Sequence, residues 1–310
     1  MTLLVDIMNE SWMSPREFGR EIQDLDPELV RFYPDIGDPS DITMLATDRL
    51  RPGLVAQLTD LKLIQKLGVG VDTMVKDPDL PAKVRITRIR NRVTAMEMAR
   101  FCLGYVLRDI HNMEFHRVEQ EAGRWTPVPP RRVPGLVVGV LGLGNIGGTC
   151  ARMFADTGFD VIGWSRSPKQ IESVQCFHGP GGLTSVLESA DYVISVLPAT
   201  AETDNLFDLK LFASMKTDAM MINVGRGTLV VEADLIAALD GGLLRHAVLD
   251  VCQIEPLPDS SPMWKYPGIT LTPHVSGWDV DDGFKAVAEN YRRLAEGREL
   301  LNEVDREAGY

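Results

Sequence analysis

Residues Val137–Gly148 read VVGVLGLGNIGG, and this stretch decides the fold. An apolar run suited to a buried parallel strand, Val137–Leu141, leads directly into Gly142-x-Gly144-x-x-Gly147. The residues from Asn145 to about Thr157 then carry apolar side chains at helical spacing. Each glycine has a physical reason to be there. Gly142 permits a tight bend, Gly144 lets backbone come close to a pyrophosphate, and Gly147 lets the helix pack against the sheet. The helix N-terminus, with Asn145 and Ile146 as its first residues, offers N–H groups and the positive end of its dipole to phosphates. In a chain with 27 glycines a bare G-x-G-x-x-G says little. Strand, turn and helix in agreement around it predict a dinucleotide-binding unit.

Working outward, a second strand is expected at Asp160–Trp164 (DVIGW). Its C-terminal tip is where an acidic residue usually meets the adenosine ribose hydroxyls of NAD. Here the tip is Ser165, and the run continues Arg166-Ser167-Pro168-Lys169. A carboxylate would repel a 2′-phosphate, whereas two hydroxyls, a guanidinium and an ammonium would bind one, Arg166 with paired hydrogen bonds. Ser165, Arg166, Ser167 and Lys169 therefore favour NADP(H) over NAD. The other reading of this run is a solvated basic loop, with NAD held through the hydroxyls alone.

At 310 residues the chain is long enough for two domains, each with a core of its own. Hydrophobic content of 45% and charged content of 25% are those of an ordinary globular enzyme. A net charge of −12 argues against nucleic acid as a partner, since that needs a concentrated basic face. Cys102, Cys150, Cys176 and Cys252 form no C-x-x-C pair and match no zinc spacing, so no metal is expected and a reducing, cytoplasmic compartment is. The start, MTLLVDIMNES, lacks a basic segment and reaches Asp6 too early for a secretory signal. No run approaches the ~18 apolar residues of a membrane span.

The chain before the fingerprint reads as a small α/β unit. Strands are expected at Leu3–Ile7, Val30–Tyr33, Ile42–Ala46, Leu63–Leu67 and Val84–Thr87, with a helix over Pro15–Leu25. A long helical pattern runs from Thr94 to about Glu121 and ends at Gly123 and the proline-rich TPVPPRRVPG (Thr126–Gly135). After the fingerprint, strands at Tyr192–Val196, Met220–Val224, Ala247–Asp250 and Ile269–Thr272 complete a doubly wound sheet. A last helix spans about Asp281–Ala295. Strands alternating with helices predict an α/β fold with parallel sheets.

Three residues fall just beyond the ends of the later strands, where an open α/β sheet binds its ligands. Arg226 lies in NVGRG (Asn223–Gly227), Glu255 in DVCQIEPLP (Asp250–Pro258) and His274 in LTPHVSG (Leu271–Gly277). Singly, each suits an ordinary loop. Together, in this order and downstream of the fingerprint, they stand where a nicotinamide and its substrate would meet. The chain resembles the D-isomer-specific 2-hydroxyacid dehydrogenase family. The resemblance rests on GVGVD (Gly68–Asp72), GLGNIG (Gly142–Gly147), LPATAET (Leu197–Thr203), NVGRG, DVCQIEP and TPHVSG. It implies two Rossmann-like or flavodoxin-like domains, with the cofactor domain (93–279) inserted into a split substrate domain (1–92 and 280–310), in a homodimer.

Within that family the chain looks most like the NADPH-using glyoxylate and hydroxypyruvate reductases. The resemblance implies that His274 is the general acid, that Glu255 holds its other ring nitrogen, and that Arg226 pairs with the substrate carboxylate and polarises the carbonyl. It implies that the backbone N–H groups of Val69 and Gly70 hold the same carboxylate, and that Leu197 and Pro198 cover the adenine. Thr203, Val224, Gly225 and Gly277 complete the implied cofactor contacts. Asp250 would accept from the nicotinamide carboxamide, and its position equally suits a turn cap. Trp278 stands where small residues are usual, and either walls the substrate pocket or packs between domains. Two other readings stay open: an NAD-linked phosphoglycerate dehydrogenase-type enzyme, and a non-catalytic dinucleotide-sensing module.

Overall fold

The computed structural model describes residues 1–9, 14, 18–20, 22–277 and 285–306. The chain divides into two compact units, Met1–Val93 with Asp279–Tyr310, and Thr94–Trp278.

In the first unit, short apolar runs between Pro/Asp/Gly turns form β1 (Thr2–Asp6), β2 (Val30–Phe32), β3 (Ile42–Thr47), β4 (Leu63–Lys66) and β5 (Arg85–Thr87). All pair in parallel, in the order β2-β1-β3-β4-β5. This is the flavodoxin-like order, with its reversal between β1 and β3. Strands β1 and β3 are buried along their whole length, as continuous apolar runs in a sheet covered on both faces should be. The C-terminal helix Lys285–Glu296 completes this unit. Its Val287, Ala288 and Tyr291 pack with Leu3, Val5, Met44 and Leu63. The buried Asn290 Nδ2 donates to Gln65 Oε1 at 2.8 Å, and Thr87 Oγ1 donates to the same oxygen at 2.7 Å. Of the expected helix over Pro15–Leu25, residues 18–20 are helical and 22–25 form a turn, while 15–17 and 21 lie outside the described residues, as do Asp281–Phe284 of the last helix and Trp278.

The second unit holds β6 (Val137–Leu141), β7 (Asp160–Ser165), β8 (Gln175–His178), β9 (Tyr192–Ser195), β10 (Met220–Asn223), β11 (His246–Leu249) and β12 (Ile269–Leu271). They form one parallel sheet in the order β12-β11-β10-β9-β6-β7-β8. Residue alternation sends the two faces of each strand into two cores. Val138, Val140, Ile194, Ile222 and Val248 meet Cys102 and Val106 of the helix Arg92–Ile110 and Cys150 and Phe154 of the helix Asn145–Asp156. Leu141, Val193, Met221 and Leu249 meet Val186 and Leu187 of the helix Gly179–Ser189 and Leu235 and Ala238 of the helix Glu232–Asp240.

Two expectations are corrected. The helical pattern from Thr94 to Glu121 is two helices, Arg92–Ile110 and Met113–Glu121, parted by Asn112 in the left-handed region at φ 53°. Asparagine tolerates that conformation, and one such residue leaves the flanking periodicity intact. The sheet also gains an edge strand, β8, whose sequence QCFH is too short and too exposed to form an apolar run.

A charge network fastens the helix Arg92–Ile110 to the sheet. The Asp109 carboxylate accepts from both terminal nitrogens of Arg245, at 2.6 and 2.7 Å, and from the Tyr192 hydroxyl at 2.7 Å. Burial pushes the Asp109 carboxyl up, but the hydrogen bonds from Arg245 and Tyr192 and the Arg245 and Arg131 charges outweigh it and hold it below the ordinary aspartate value.

Candidate active site

The chain runs outward from β6 to β7 and β8, then returns to lay β9 on the other side of β6. Such a reversal opens a crevice at the carboxyl ends of the two strands. Six of the loops singled out in the sequence leave carboxyl ends of this sheet. Gly142–Gly147 follow β6, Arg166–Lys169 follow β7, Leu197–Thr203 follow β9, Val224–Gly227 follow β10, Asp250–Glu255 follow β11, and His274–Gly277 follow β12.

The glycine turn is built as its sequence requires. Gly142 has φ +97°, and a Cβ on Gly147 would stand 1.7 Å from the Gly142 carbonyl oxygen, so the helix crosses the turn too closely for any side chain. Gly144 differs: a Cβ there would meet nothing within 4 Å. The protein's own packing does not demand glycine at that position, whereas close approach of a phosphate does. Gly144 is also the N-cap of the helix Asn145–Asp156 and has no side chain to cap its first turn. Asn145 is exposed, while Ile146 is half-buried against the core. These residues fit a dinucleotide pyrophosphate.

Beyond β7, Ser165 is buried and its hydroxyl donates to the Ser167 carbonyl at 2.8 Å, so that group shapes the turn. Arg166, Ser167 and Lys169 are exposed. The loop after β9 is closed by Thr203, whose hydroxyl donates to the Pro198 carbonyl at 2.6 Å and accepts from the Thr200 N–H at 2.8 Å. Leu197 is buried at its base.

The NVGRG turn depends on Asn223, which sequence reasoning passed over. Fully buried, its side-chain oxygen accepts from the Gly225 N–H at 3.1 Å and its Nδ2 donates to the Arg226 carbonyl at 2.9 Å. A polar residue closing the apolar run MMIN was the available signal. The Val224 N–H bonds Ser195 O at 3.0 Å, and the half-buried Arg226 donates from Nη1 to Gly225 O at 2.7 Å. Gly227 packs so closely on the next loop that a Cβ would stand 1.9 Å from the Cys252 carbonyl carbon.

His274 and Glu255 come together from separate strand ends, with His274 Nδ1 2.8 Å from Glu255 Oε2. The other oxygen of Glu255 accepts from the Cys252 N–H at 3.0 Å. Burial pushes the Glu255 carboxyl up, but the His274 hydrogen bond, the His274 and Arg226 charges and the Cys252 N–H prevail and hold it below the ordinary range. An ionised carboxylate only accepts, so the proton between the pair sits on Nδ1 and leaves Nε2 for other partners. His274 has φ 57°, a left-handed conformation uncommon outside glycine and typical of sites held in place by their surroundings. The surroundings here are Asp250. Buried at the end of β11, its Oδ1 accepts from Thr272 Oγ1 at 2.6 Å and from the Val275 N–H at 2.9 Å, and its Oδ2 from the Ser276 N–H at 3.0 Å. The His274 N–H donates to the Asp250 carbonyl at 2.9 Å. Asp250 therefore caps the histidine turn, and of the roughly four acceptor positions on its carboxylate about one is left for another donor. On the same turn, a Cβ added to Gly277 would meet Thr94 and Met98.

Residues 103–276 match the family described as "D-isomer specific 2-hydroxyacid dehydrogenase, NAD binding domain". The chain belongs to the D-isomer-specific 2-hydroxyacid dehydrogenase family. A glyoxylate/hydroxypyruvate reductase A from Photorhabdus laumondii is 36% identical over 263 residues, covering 83% of this chain and 84% of the relative. Among solved 2-hydroxyacid dehydrogenases, one from Xanthobacter autotrophicus Py2, in complex with NADPH and MES, is 37% identical with a TM-score of 0.92. It spans 100% of this chain and 99% of its own. An NADPH-dependent glyoxylate/hydroxypyruvate reductase from Sinorhizobium meliloti, in complex with NADP and sulfate, is 31% identical with a TM-score of 0.92 and the same coverage.

Val69 and Gly70 lie in the first unit, in the turn between β4 and a short helix at Asp72–Val75, where the Val69 carbonyl accepts from Arg88 Nη1 at 3.4 Å. Among the described residues no cluster of three or more His, Cys, Asp or Glu side chains could hold a metal ion.

Proposed function

We propose that this chain is an NADPH-dependent reductase of small 2-oxo acids, of the glyoxylate and hydroxypyruvate kind, yielding the D-2-hydroxy acid. The observation that carries the proposal is the His274–Glu255 pair at 2.8 Å, at the carboxyl edge of a dinucleotide-binding sheet with Arg226 on the adjoining strand. The names of the relatives and the NADPH and NADP bound by the solved neighbours support the cofactor and the substrate class.

NADPH, when bound, supplies a hydride to the carbonyl carbon. Arg226 pairs with the substrate carboxylate through its planar guanidinium and draws charge onto the carbonyl oxygen. The backbone N–H groups of Val69 and Gly70 add to the carboxylate's hold. His274 Nε2 donates a proton to the oxygen as negative charge develops there, and Glu255 fixes the ring and offsets its charge. Gly142, Gly144, Asn145, Ile146 and Gly147 serve the pyrophosphate, and Arg166, Ser167 and Lys169 the 2′-phosphate. Leu197, Pro198, Thr203, Val224, Gly225 and Gly277 line the rest of the cofactor's path. Residues 93–279 act as the cofactor domain and residues 1–92 with 280–310 as the substrate domain. A reducing, cytoplasmic location suits the four free cysteines.

A homodimer belongs to the same proposal. Met113, Phe115 and Val118 on one helix are exposed, and Trp125 just beyond it is 97% exposed, a concentration of apolar surface that marks a protein contact. Light scattering should give about twice the 34.3 kDa of one chain. A Phe115→Asp, Trp125→Asp double variant should run as the single chain; an unchanged mass would place the contact elsewhere.

The deciding assay follows reduced-nicotinamide absorbance with NADPH and NADH in parallel against glyoxylate, hydroxypyruvate, pyruvate, phenylpyruvate and 3-phosphohydroxypyruvate. Oxidation of NADPH by glyoxylate and hydroxypyruvate is the expected result. Turnover of 3-phosphohydroxypyruvate with NADH would reassign the enzyme, and silence with cofactor binding intact would favour a sensor.

A further inference from the structure

The basic loop after β7 faces an acidic residue that the dinucleotide reading leaves without a role. Arg166 Nη1 lies 3.4 Å from Glu202 Oε2, and both side chains are more than half exposed. Glu202 is no drifting surface residue. It immediately precedes Thr203, whose hydroxyl bonds the Pro198 carbonyl and the Thr200 N–H and so fixes the backbone of the whole Leu197–Thr203 loop. The backbone that carries the Glu202 carboxylate is thereby fixed beside the guanidinium expected to receive the cofactor's 2′-phosphate. With the Ser165 hydroxyl turned to Ser167 O, Arg166 and Lys169 are the strongest donors for that phosphate among the four residues of the loop.

We infer that Glu202 sets how strongly this enzyme discriminates between NADPH and NADH, by competing with the 2′-phosphate for Arg166. In the free protein the guanidinium lies within ion-pair distance of that carboxylate at the tip of β7. When a phosphate arrives, two anions contend for one cation: Glu202 must swing away, giving up its ion pair, or stay and repel a group carrying nearly two negative charges. NADH brings no such group, so the competition weakens NADPH alone. Exposed ion pairs are weak and screened by salt, which bounds the effect to about two- to fivefold in affinity at low ionic strength.

This inference rests on the proposal that the loop takes NADPH, and a four-protein comparison separates the two. NADPH and NADH are titrated into the full chain at low salt, with binding read from reduced-nicotinamide fluorescence and no substrate present. The proteins are wild type, Glu202→Gln, Arg166→Ala and the double variant. Glu202→Gln should bind NADPH about two- to fivefold more tightly with NADH unchanged, and the gain should vanish both in the Arg166→Ala background and at high salt. If Arg166→Ala weakens NADPH selectively but Glu202→Gln changes nothing, or weakens NADPH, the role of Glu202 is overturned while the cofactor reading stands. If Arg166→Ala weakens both cofactors alike, the 2′-phosphate reading falls and the inference with it.

Discussion

Asp250 is buried at the end of β11, and its carboxylate takes three hydrogen bonds from the turn that carries His274. Its place at a strand end was plain in the sequence, but the role was not, because two of its three donors are backbone N–H groups brought to it only by folding. Replacing it with alanine would strand those donors, at about 1–3 kcal/mol for each that finds no water. Asp250→Ala should therefore lower both the melting temperature and turnover, while Asp250→Asn, which keeps one acceptor oxygen for Thr272 and Val275, should recover much of the loss. Wild-type melting and turnover in the alanine variant would show that the turn holds itself. His274 gives a complementary outcome. His274→Ala should cut turnover by the ~10²–10⁴ expected of a general acid and leave NADPH binding little changed. Turnover near wild type would remove the histidine from its role. Both chemical partners, His274 and Glu255, were legible as residue types at strand ends. Their pairing, seen at 2.8 Å, was expected only through the family resemblance; the left-handed backbone at His274 was not legible because the folded turn sets it, nor was the Arg166–Glu202 contact, which joins two separate loops.

Among the elements, the glycine turn was the most legible part of the molecule because its constraint is local. The glycines of one short loop must let a strand and a helix cross within contact distance, and the sequence shows all of them at once. The structure separates their duties. At Gly147 a Cβ would collide with backbone, at 1.7 Å from the Gly142 oxygen; at Gly144 it would meet nothing. Gly147→Ala should thus lower the melting temperature by several degrees, an overpacking cost of about 1–3 kcal/mol or more. Gly144→Ala should melt like wild type yet bind NADPH at least about tenfold more weakly, since only the pyrophosphate needs that space. Undiminished binding in Gly144→Ala would mean that the phosphates lie elsewhere. The less legible elements fail for a contrary reason. Asn112 parts two helices without disturbing the periodicity on either side, and β8 is a sheet edge that buries too little to need an apolar sequence.

At the scale of the molecule, parallel pairing made both sheets readable, because strands covered on two faces must be apolar throughout and their helices must alternate with them. Composition carried no information about the charge network that ties a helix to strands of the second sheet. Asp109, Arg245 and Tyr192 are 136 and 83 residues apart from Asp109 outward, and each looks like an ordinary surface residue in its own segment. This network should govern how stability responds to acid. The Asp109 carboxyl is held below the ordinary aspartate value, so the folded state prefers its ionised form over the protonated one. Its contribution is fully present above the ordinary value near pH 4, and is lost as pH falls through that value to the lower one of the folded protein. Asp109→Asn leaves the largely buried Arg245 with Asp218, at 3.3 Å, as its ion-pair partner among the described residues. It should cost about 1–3 kcal/mol at pH 7, less than the loss of one member of a fully buried pair because both side chains keep some contact with solvent. The gap between wild type and variant should narrow steadily below pH 4, because protonation then removes from the wild type the same charge that the substitution removed. Denaturant unfolding of both proteins from pH 7 to pH 3 tests this. A gap that stayed constant would assign the loss to packing, and one that widened on acidification would reverse the sign of the carboxyl's shift.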